Sequence, residues 1–259
     1  MFSLKCGDCL EILKTIPDKS IDLILCDLPY GTTASTWDKV ISIEKLWLEY
    51  ERIIKDDRAI VLFSSGTFTT KLINSNIKLY RYKWIWVKSN STNFVNAKNK
   101  PMSKYEEICV FSKGTTANGS KNKMIYNPQG LIRIEKIIKS GKSRFGTIAG
   151  NRPSHKEFFN RDYTNYPNDV LTEYKEDSAR NKLHTNQKPT SLLEYLIKTY
   201  SNKGDLVLDN CMGSGSTGIA CLNTDRDFIG IEIDEKYFEI AKERIEGKII
   251  ENNKQIKLT

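Results

Sequence analysis

Two periods alternate along the chain. Residues Ile21–Cys26 (IDLILC), 59–63 (AIVLF), 80–87 and 108–111 are short runs rich in aliphatic, β-branched and aromatic side chains, which predicts buried strands. Residues 43–54 repeat apolar positions at helical spacing through Leu46, Trp47, Tyr50, Ile53 and Ile54. From 112 to 183 the pattern dissolves into Gly, Asn, Lys, Ser, Pro and Tyr with no sustained period, which predicts a variable insert rather than core. Regularity then returns with a helix over 192–200, a strand over 206–208, a helix over 217–222, a strand over 228–231 and an amphipathic helix from Tyr237. Alternating strands and helices predict an α/β protein with a largely parallel sheet. The expected division is 1–111 and 184–259 as two halves of one core, with 112–183 inserted between them.

A length of 259 residues predicts one ordinary globular domain, or one domain with an insert. The longest apolar run, Ile21–Cys26, already contains Asp22 and falls far short of the roughly 20 residues a membrane-spanning helix needs. The start MFSLKCGDCL reaches Lys5 and Asp8 before any apolar core forms, so no secretory leader is expected and the protein is expected to be cytoplasmic. Six cysteines are too sparse for a disulfide scaffold. Cys6 and Cys9 form a C-x-x-C, but no second close pair follows and the two histidines, His155 and His184, stand alone, so no metal is expected.

The formal charge of +8 is unevenly spread. From Lys71 to Lys156 there are 18 Lys and Arg against three acids, a formal +15, while the remainder carries 22 basic and 29 acidic residues, or −7. A basic middle between acidic flanks is what a core carrying a phosphate-binding segment would show. A basic surface kept only for solubility would give the same count.

Two clusters carry candidate chemistry. In Leu206-Val-Leu-Asp209-Asn-Cys-Met-Gly213-Ser-Gly215-Ser-Thr-Gly218 a strand, a glycine loop and a helix follow one another, and Glu232 ends the next strand. The spacing satisfies a dinucleotide fingerprint. However, Asp209 at the strand end would repel a diphosphate and suit a cationic amino group. S-adenosylmethionine, with an ammonium, a sulfonium and no phosphate, fits better, with Glu232 for its ribose. The second cluster is Asp27-Leu28-Pro29-Tyr30, directly after the IDLILC strand. An aryl amine is a weak nucleophile because its lone pair is delocalised into the ring. The Asp27 carboxylate and the Leu28 carbonyl, turned inward by Pro29, would accept its two hydrogens, and Tyr30 offers a face for a purine. A base inside a duplex cannot reach such a pocket unless it is flipped out.

Together these residues resemble the beta class of DNA amino-methyltransferases. Gly7-Asp8-Cys9, Asp27-Leu28-Pro29-Tyr30-Gly31, Trp84-Ile-Trp86-Val-Lys88, His184-Thr-Asn-Gln187-Lys188-Pro189, Asp209 to Thr217 and Phe228-Ile-Gly-Ile-Glu232-Ile-Asp234 occur in that class's order. The resemblance implies a Rossmann-like S-adenosylmethionine-dependent methyltransferase fold. Its sheet would be mixed, mostly parallel and seven-stranded, the motif order permuted, and the target-recognition region inserted. It places Asp8 and Cys9 near the cofactor adenine and Asp209, Cys211, Gly213, Gly215, Ser216 and Thr217 around the methionine part. Glu232, with Ile233 beside it, would meet the ribose, Lys188 and Pro189 would close the pocket beside the cofactor's amino-acid end, and Asp27 would also border the cofactor. His184 would order its loop. Leu28 replaces the class's first proline, where only a backbone carbonyl is needed. Asn210-Cys211 replaces Pro-Phe and makes the wall smaller and more polar.

The implied activity is site-specific methylation of the exocyclic amine of adenine in double-stranded DNA, with Asp27, Leu28, Pro29 and Tyr30 catalytic. Cytosine-modifying relatives usually carry Ser at position 27. Lys88, Arg133, Lys136, Lys139, Lys142, Arg144 and Arg152 are the candidate DNA contacts. A homodimer and a cognate restriction endonuclease are the further partners the class suggests. The rival readings are the same fold acting on cytosine, RNA or a protein glutamine, a catalytically silent DNA-binding relic, and a nicotinamide oxidoreductase.

Overall fold

The computed structural model describes residues 1–30, 41–139, 158–175 and 187–256. Its contacts divide into two units: Met1–Asn127 with Asp169–Thr259, and Pro128–Asn168. The inserted unit is therefore narrower than 112–183. Residues 112–127 go with the larger unit: Met124 is buried in its core, and the Asn127 N–H donates to the Thr199 carbonyl at 2.7 Å.

The larger unit is built on eight strands, β1 (Phe2–Cys6), β2 (Ile21–Cys26), β3 (Ile54–Ser64), β4 (Tyr80–Thr92), β5 (Ser103–Ser112), β8 (Val170–Leu171), β9 (Leu206–Asp209) and β10 (Asp227–Glu232). Their order in the sheet is β1-β10-β9-β2-β3-β5-β4-β8. Five pairings are parallel, and those of β5 with β3 and β4 are antiparallel. The seven expected strands become eight among the described residues, the two-residue β8 being the smallest.

Strand alternation places side chains on opposite faces, and here it separates two apolar cores. Leu23, Leu25, Val61, Phe63, Trp84, Trp86 and Val207 pack with α4 (Thr190–Tyr200), α5 (Ser216–Asn223) and α6 (Glu235–Ile256). Ile24, Cys26, Ile60, Leu62, Phe111 and Leu208 pack with α1 (Cys9–Leu13), α2 (Ile43–Ile53) and α3 (Thr67–Ser75). The acid inside IDLILC is explained at the other end of these strands. Asp22 is buried, pairs with Lys55 at 2.6 Å and Arg58 at 3.1 Å, and accepts from the Leu206 N–H at 3.0 Å, tying β2, β3 and β9 together. A buried carboxylate is tolerable only when so compensated.

The connection from β2 leads through α2 to its neighbour β3, and that from β9 through α5 to its neighbour β10, on the opposite side. The parallel strands β2 and β9 are thus adjacent where the winding reverses, with Leu23 beside Val207 and Ile24 beside Leu208. Such a crevice beyond the carboxyl ends of the strands is where α/β sheets bind ligands. Asp27, Asp209 and Glu232 all sit at these ends.

The smaller unit contains an antiparallel ribbon, β6 (Ile132–Lys139) and β7 (Phe158–Thr164). Asn165, in the left-handed region, donates to the Gly130 carbonyl at 2.7 Å at one end of the ribbon. Among the described residues no helix is long and apolar enough to cross a membrane.

Candidate active site

A cavity of about 1040 Å³ lies at these strand ends. That is at the upper limit of an ordinary small-molecule site, room for more than one compact ligand. Asp27, Leu28, Pro29 and Tyr30 line it together with Asp8, Cys9, Lys188, Asp209, Cys211, Gly213, Ser216, Thr217, Glu232 and Ile233. Two clusters about 180 residues apart in sequence thus share one chamber, because β2 and β9 are hydrogen-bonded neighbours.

The glycine loop is shaped by its acids. Asp209 is buried; its Oδ2 accepts from the Thr217 hydroxyl at 2.6 Å and its Oδ1 from the Cys211 N–H at 3.1 Å. Burial pushes its carboxyl up to about 6, against the pull of these donors. Glu232 Oε2 accepts from the Gly213 N–H at 2.8 Å, and its Oε1 from the N–H groups of Ile233 and Asp234 at 3.0 and 2.9 Å. Three of the roughly four acceptor positions of a carboxylate are therefore used within the protein, so Glu232 holds the loop and offers a ligand little more than one. Burial raises its carboxyl, and the three donors oppose this. Gly215 has φ 79°, and a Cβ there would lie 3.0 Å from the Ala241 Cβ, so only glycine lets the loop pass beneath α6.

Helix α5 starts at Gly215 with no side-chain cap, and Ser216 and Thr217 line the cavity. An uncapped helix start suits a carboxylate. Asp209 suits an ammonium, and Asp8, itself the cap of α1 through a 2.8 Å bond from the Leu10 N–H, also lines the cavity. This end of the cavity therefore suits a zwitterionic amino-acid group. Pro189 caps α4, and the lysine before it turns into the chamber.

That lysine departs from expectation. Lys188 Nζ is 2.5 Å from Asp27 Oδ2 and 3.2 Å from Glu106 Oε2, and lies over the Phe63 ring at 5.0 Å from its centroid. Burial works against its charge, but the two carboxylates outweigh it and hold the ammonium above the ordinary lysine value. It is thus a partner of Asp27 rather than only a lid beside the cofactor.

Lys88 requires a correction. Expected to meet DNA, it is 13% exposed and ion-paired with Glu106 Oε1. Register explains this: Trp84, Trp86 and Lys88 alternate on one face of β4, and Glu106 of β5 pairs with Trp86. Burial raises the Glu106 carboxyl, yet Lys188 and Lys88 together hold it below the usual glutamate value. Charges therefore alternate from Lys88 through Glu106 and Lys188 to Asp27, and each buried ion has a counter-ion. Sequence reasoning misses Glu106; nothing near it in the chain marks it, and only its cross-strand position does.

Tyr30 donates its hydroxyl to Asp27 Oδ1 at 2.8 Å and stacks on Phe68 at 4.8 Å between centroids. Burial raises its phenol well above the usual value and keeps it a donor. One ring face is thus covered by Phe68. His184, Lys142, Arg144 and Arg152 lie outside the described residues, as do the side chains of Lys136 and Lys139. Arg133 is exposed on β6.

Residues 21–243 match the family described as DNA methylase, N6_N4_Mtase. The chain belongs to this family. Among curated relatives, the methylase is 30% identical to the DNA adenine methyltransferase YhdJ of Escherichia coli, over 93% of this chain and 81% of that one. It is 28% identical to the Type II methyltransferase M.HpaI of Haemophilus parainfluenzae, over 95% and 74%. The fold resembles that of M1.HpyAVI, solved as a complex with SAM, with a TM-score of 0.64 at 24% identity, covering 95% of this chain and 99% of that one. It equally resembles the cytosine-N4-specific PvuII DNA methyltransferase, with a TM-score of 0.64 at 16% identity, covering 93% and 85%. Fold likeness therefore does not separate adenine from cytosine.

Proposed function

We propose that this methylase transfers a methyl group from S-adenosylmethionine to the exocyclic amine of adenine in double-stranded DNA, after flipping that base into the cavity. The observation that carries the reading is the single chamber containing both Asp27-Leu28-Pro29-Tyr30 and the Asp209 loop, with Asp27 held by Lys188. Adenine is favoured by Asp at position 27 and by the likeness to YhdJ, a DNA adenine methyltransferase.

When bound, the cofactor supplies a methyl group already activated by its sulfonium. The protein's part is to prepare the amine. Asp27 has two of its roughly four acceptor positions filled, by Lys188 and Tyr30, leaving room for an amine hydrogen. The Leu28 carbonyl takes the second hydrogen. As the nitrogen gains a fourth bond, Asp27 takes up the developing positive charge and then the proton. Lys188 holds the carboxylate in place, and Glu106 balances the lysine once Asp27 has taken the proton. Preorganised charges of this kind and proximity supply most of the acceleration.

The test is to incubate purified protein and labelled cofactor with DNA lacking adenine methylation, digest the product to nucleosides, and map the modified positions. N6-methyladenine at one short sequence is expected. N4-methylcytosine would assign the same chamber to cytosine, and label on neither base overturns the reading.

The ribbon β6–β7 is of a kind a major groove admits, and β6 carries Arg133, Lys136 and Lys139. Each phosphate contact contributes about −0.9 to the slope of log affinity against log salt. Replacing all three by alanine should therefore flatten that slope by roughly 2 to 3, as read by fluorescence anisotropy of a labelled duplex. An unchanged slope removes the ribbon from the DNA contact.

A further inference from the structure

The hairpin that carries Lys88 and Glu106 ends in a feature the chemistry above does not use. Strands β4 and β5 close at the pair Thr92 and Ser103, and between them Asn93, in the left-handed region at φ 73°, opens a short turn over Phe94–Asn96. The turn is internally hydrogen-bonded: the Asn96, Ala97 and Lys100 N–H groups donate to the carbonyls of Asn93, Phe94 and Asn96 at 3.1, 3.0 and 3.0 Å. Two neighbouring apolar side chains stand out from it, Phe94 at 79% exposure and Val95 at 93%. Scattered exposed apolar residues need no explanation, but these form an adjacent pair on a preformed turn. Asn93, Lys100 and Ser103 of the same tip line the rim of the cavity. No acid occurs between Lys88 and Glu106, whereas Lys98, Lys100 and Lys104 are all exposed there.

We propose that Phe94 and Val95 form an apolar wedge that enters the duplex as the target base leaves it. The inference rests on the DNA-methylase reading above and assigns the contact that makes flipping feasible. A base that swings out of the stack leaves apolar base faces open to water, and apolar side chains inserted between base steps are a recurrent way to fill such a gap. The filling group must stand next to the pocket receiving the base, which is where this tip lies. The exposed lysines that follow the pair in the chain suit phosphates near the gap. A second copy of this chain is the poorer occupant, because it would bring the same three lysines against them. The hairpin also joins the two events mechanically: its tip reaches the rim, and its strands hold the Lys88 and Glu106 ion pair behind Lys188 and Asp27.

The test uses the full chain carrying Phe94→Ala and Val95→Ala together, and duplex oligonucleotides containing the mapped site. The target adenine is placed opposite thymine in one duplex and opposite an abasic nucleotide in the other, where no base pair holds it. The wedge predicts a loss of about 10- to 100-fold in methylation rate on the paired duplex and less than about threefold on the abasic one. Cofactor affinity and melting temperature should stay at wild-type values, since both residues are exposed. With 2-aminopurine at the target position, fluorescence should rise on binding wild type and not the variant. Equal losses on both duplexes, or no loss on either, overturn the wedge, as does a variant whose only change is a lower oligomeric state. Wild-type protein that methylates neither duplex overturns the methylase reading instead, so the two failures are distinguishable.

Discussion

Asp27→Asn should lower the turnover number by about a thousandfold or more while leaving the affinity for S-adenosylmethionine within a few-fold of wild type. The amide has nearly the same shape, so the fold is kept, but it offers one acceptor oxygen in place of two and carries no charge. In the wild-type protein one carboxylate oxygen meets Lys188 at 2.5 Å and the other meets Tyr30 at 2.8 Å. Asparagine that satisfies the lysine must turn its amino group toward the tyrosine and has nothing basic left for the amine of the base. Loss of a positioned proton acceptor costs about 10² to 10⁴ in rate, and here the electrostatic stabilisation of the developing cation goes with it. Lys188 stays charged in the variant because Glu106 remains 3.2 Å away, so a collapse of stability should not confuse the result. Single-turnover transfer of labelled methyl, with cofactor affinity measured by calorimetry, separates the two effects. A fall in rate below about tenfold would remove Asp27 from the chemistry.

Asp209→Asn should weaken cofactor binding and yet stabilise the protein alone above neutral pH. Burial raises the Asp209 carboxyl to about 6 in the folded chain, against about 3.9 in an unfolded one. The folded state therefore binds this proton more tightly, and its stability falls as pH rises from about 4 to 6. A difference of that size between the folded and unfolded chain corresponds to roughly 3 kcal/mol, so above pH 6 the ionised, buried carboxylate costs about that much. Asparagine removes the cost. The melting temperature of the variant should match wild type near pH 4 and exceed it by several degrees at pH 8. A cationic ligand favours the ionised form, so wild-type cofactor affinity should fall as pH drops through about 6, and the variant's weaker affinity should be flat over that range. Differential scanning fluorimetry and calorimetry across the pH series check both. A variant less stable than wild type at pH 8 would mean that the carboxylate bonds to Thr217 and Cys211 outweigh its burial. A position that is costly to folding and needed for a ligand is where stability and function are expected to oppose one another.

Where sequence and structure part, the cause is shared. The sequence points Lys88 toward DNA because it stands in a basic stretch, and a solvated lysine and a buried one have the same sequence signature. What sends it inward is its place on the face of β4 that carries Trp84 and Trp86, opposite Glu106. Glu232, expected to serve the ribose, also holds the backbone of the glycine loop through three N–H donors. A strand-end acid marks a site in the chain but does not say which donors reach it first. Strand β1 escapes a periodicity reading because FSLKC is a half-buried edge strand with no continuous apolar run, and β6 and β7 escape it because composition alone marks their region as insert.

The sequence alone determined the α/β class, the strands around IDLILC and AIVLF, the two motifs and their order, and the charge contrast between a basic middle and acidic flanks. These are local properties: periodicity fixes an element by the free energy of burying one face, and a motif's residue types fix what it can bind. Tertiary structure alone decided that Asp27 and Asp209 share a chamber, that Lys188 and Glu106 stand behind the acid, and that Phe94 and Val95 project at the rim. Each depends on register between strands far apart in the chain, and register is set by the packing of both faces of the sheet at once, which no single segment contains.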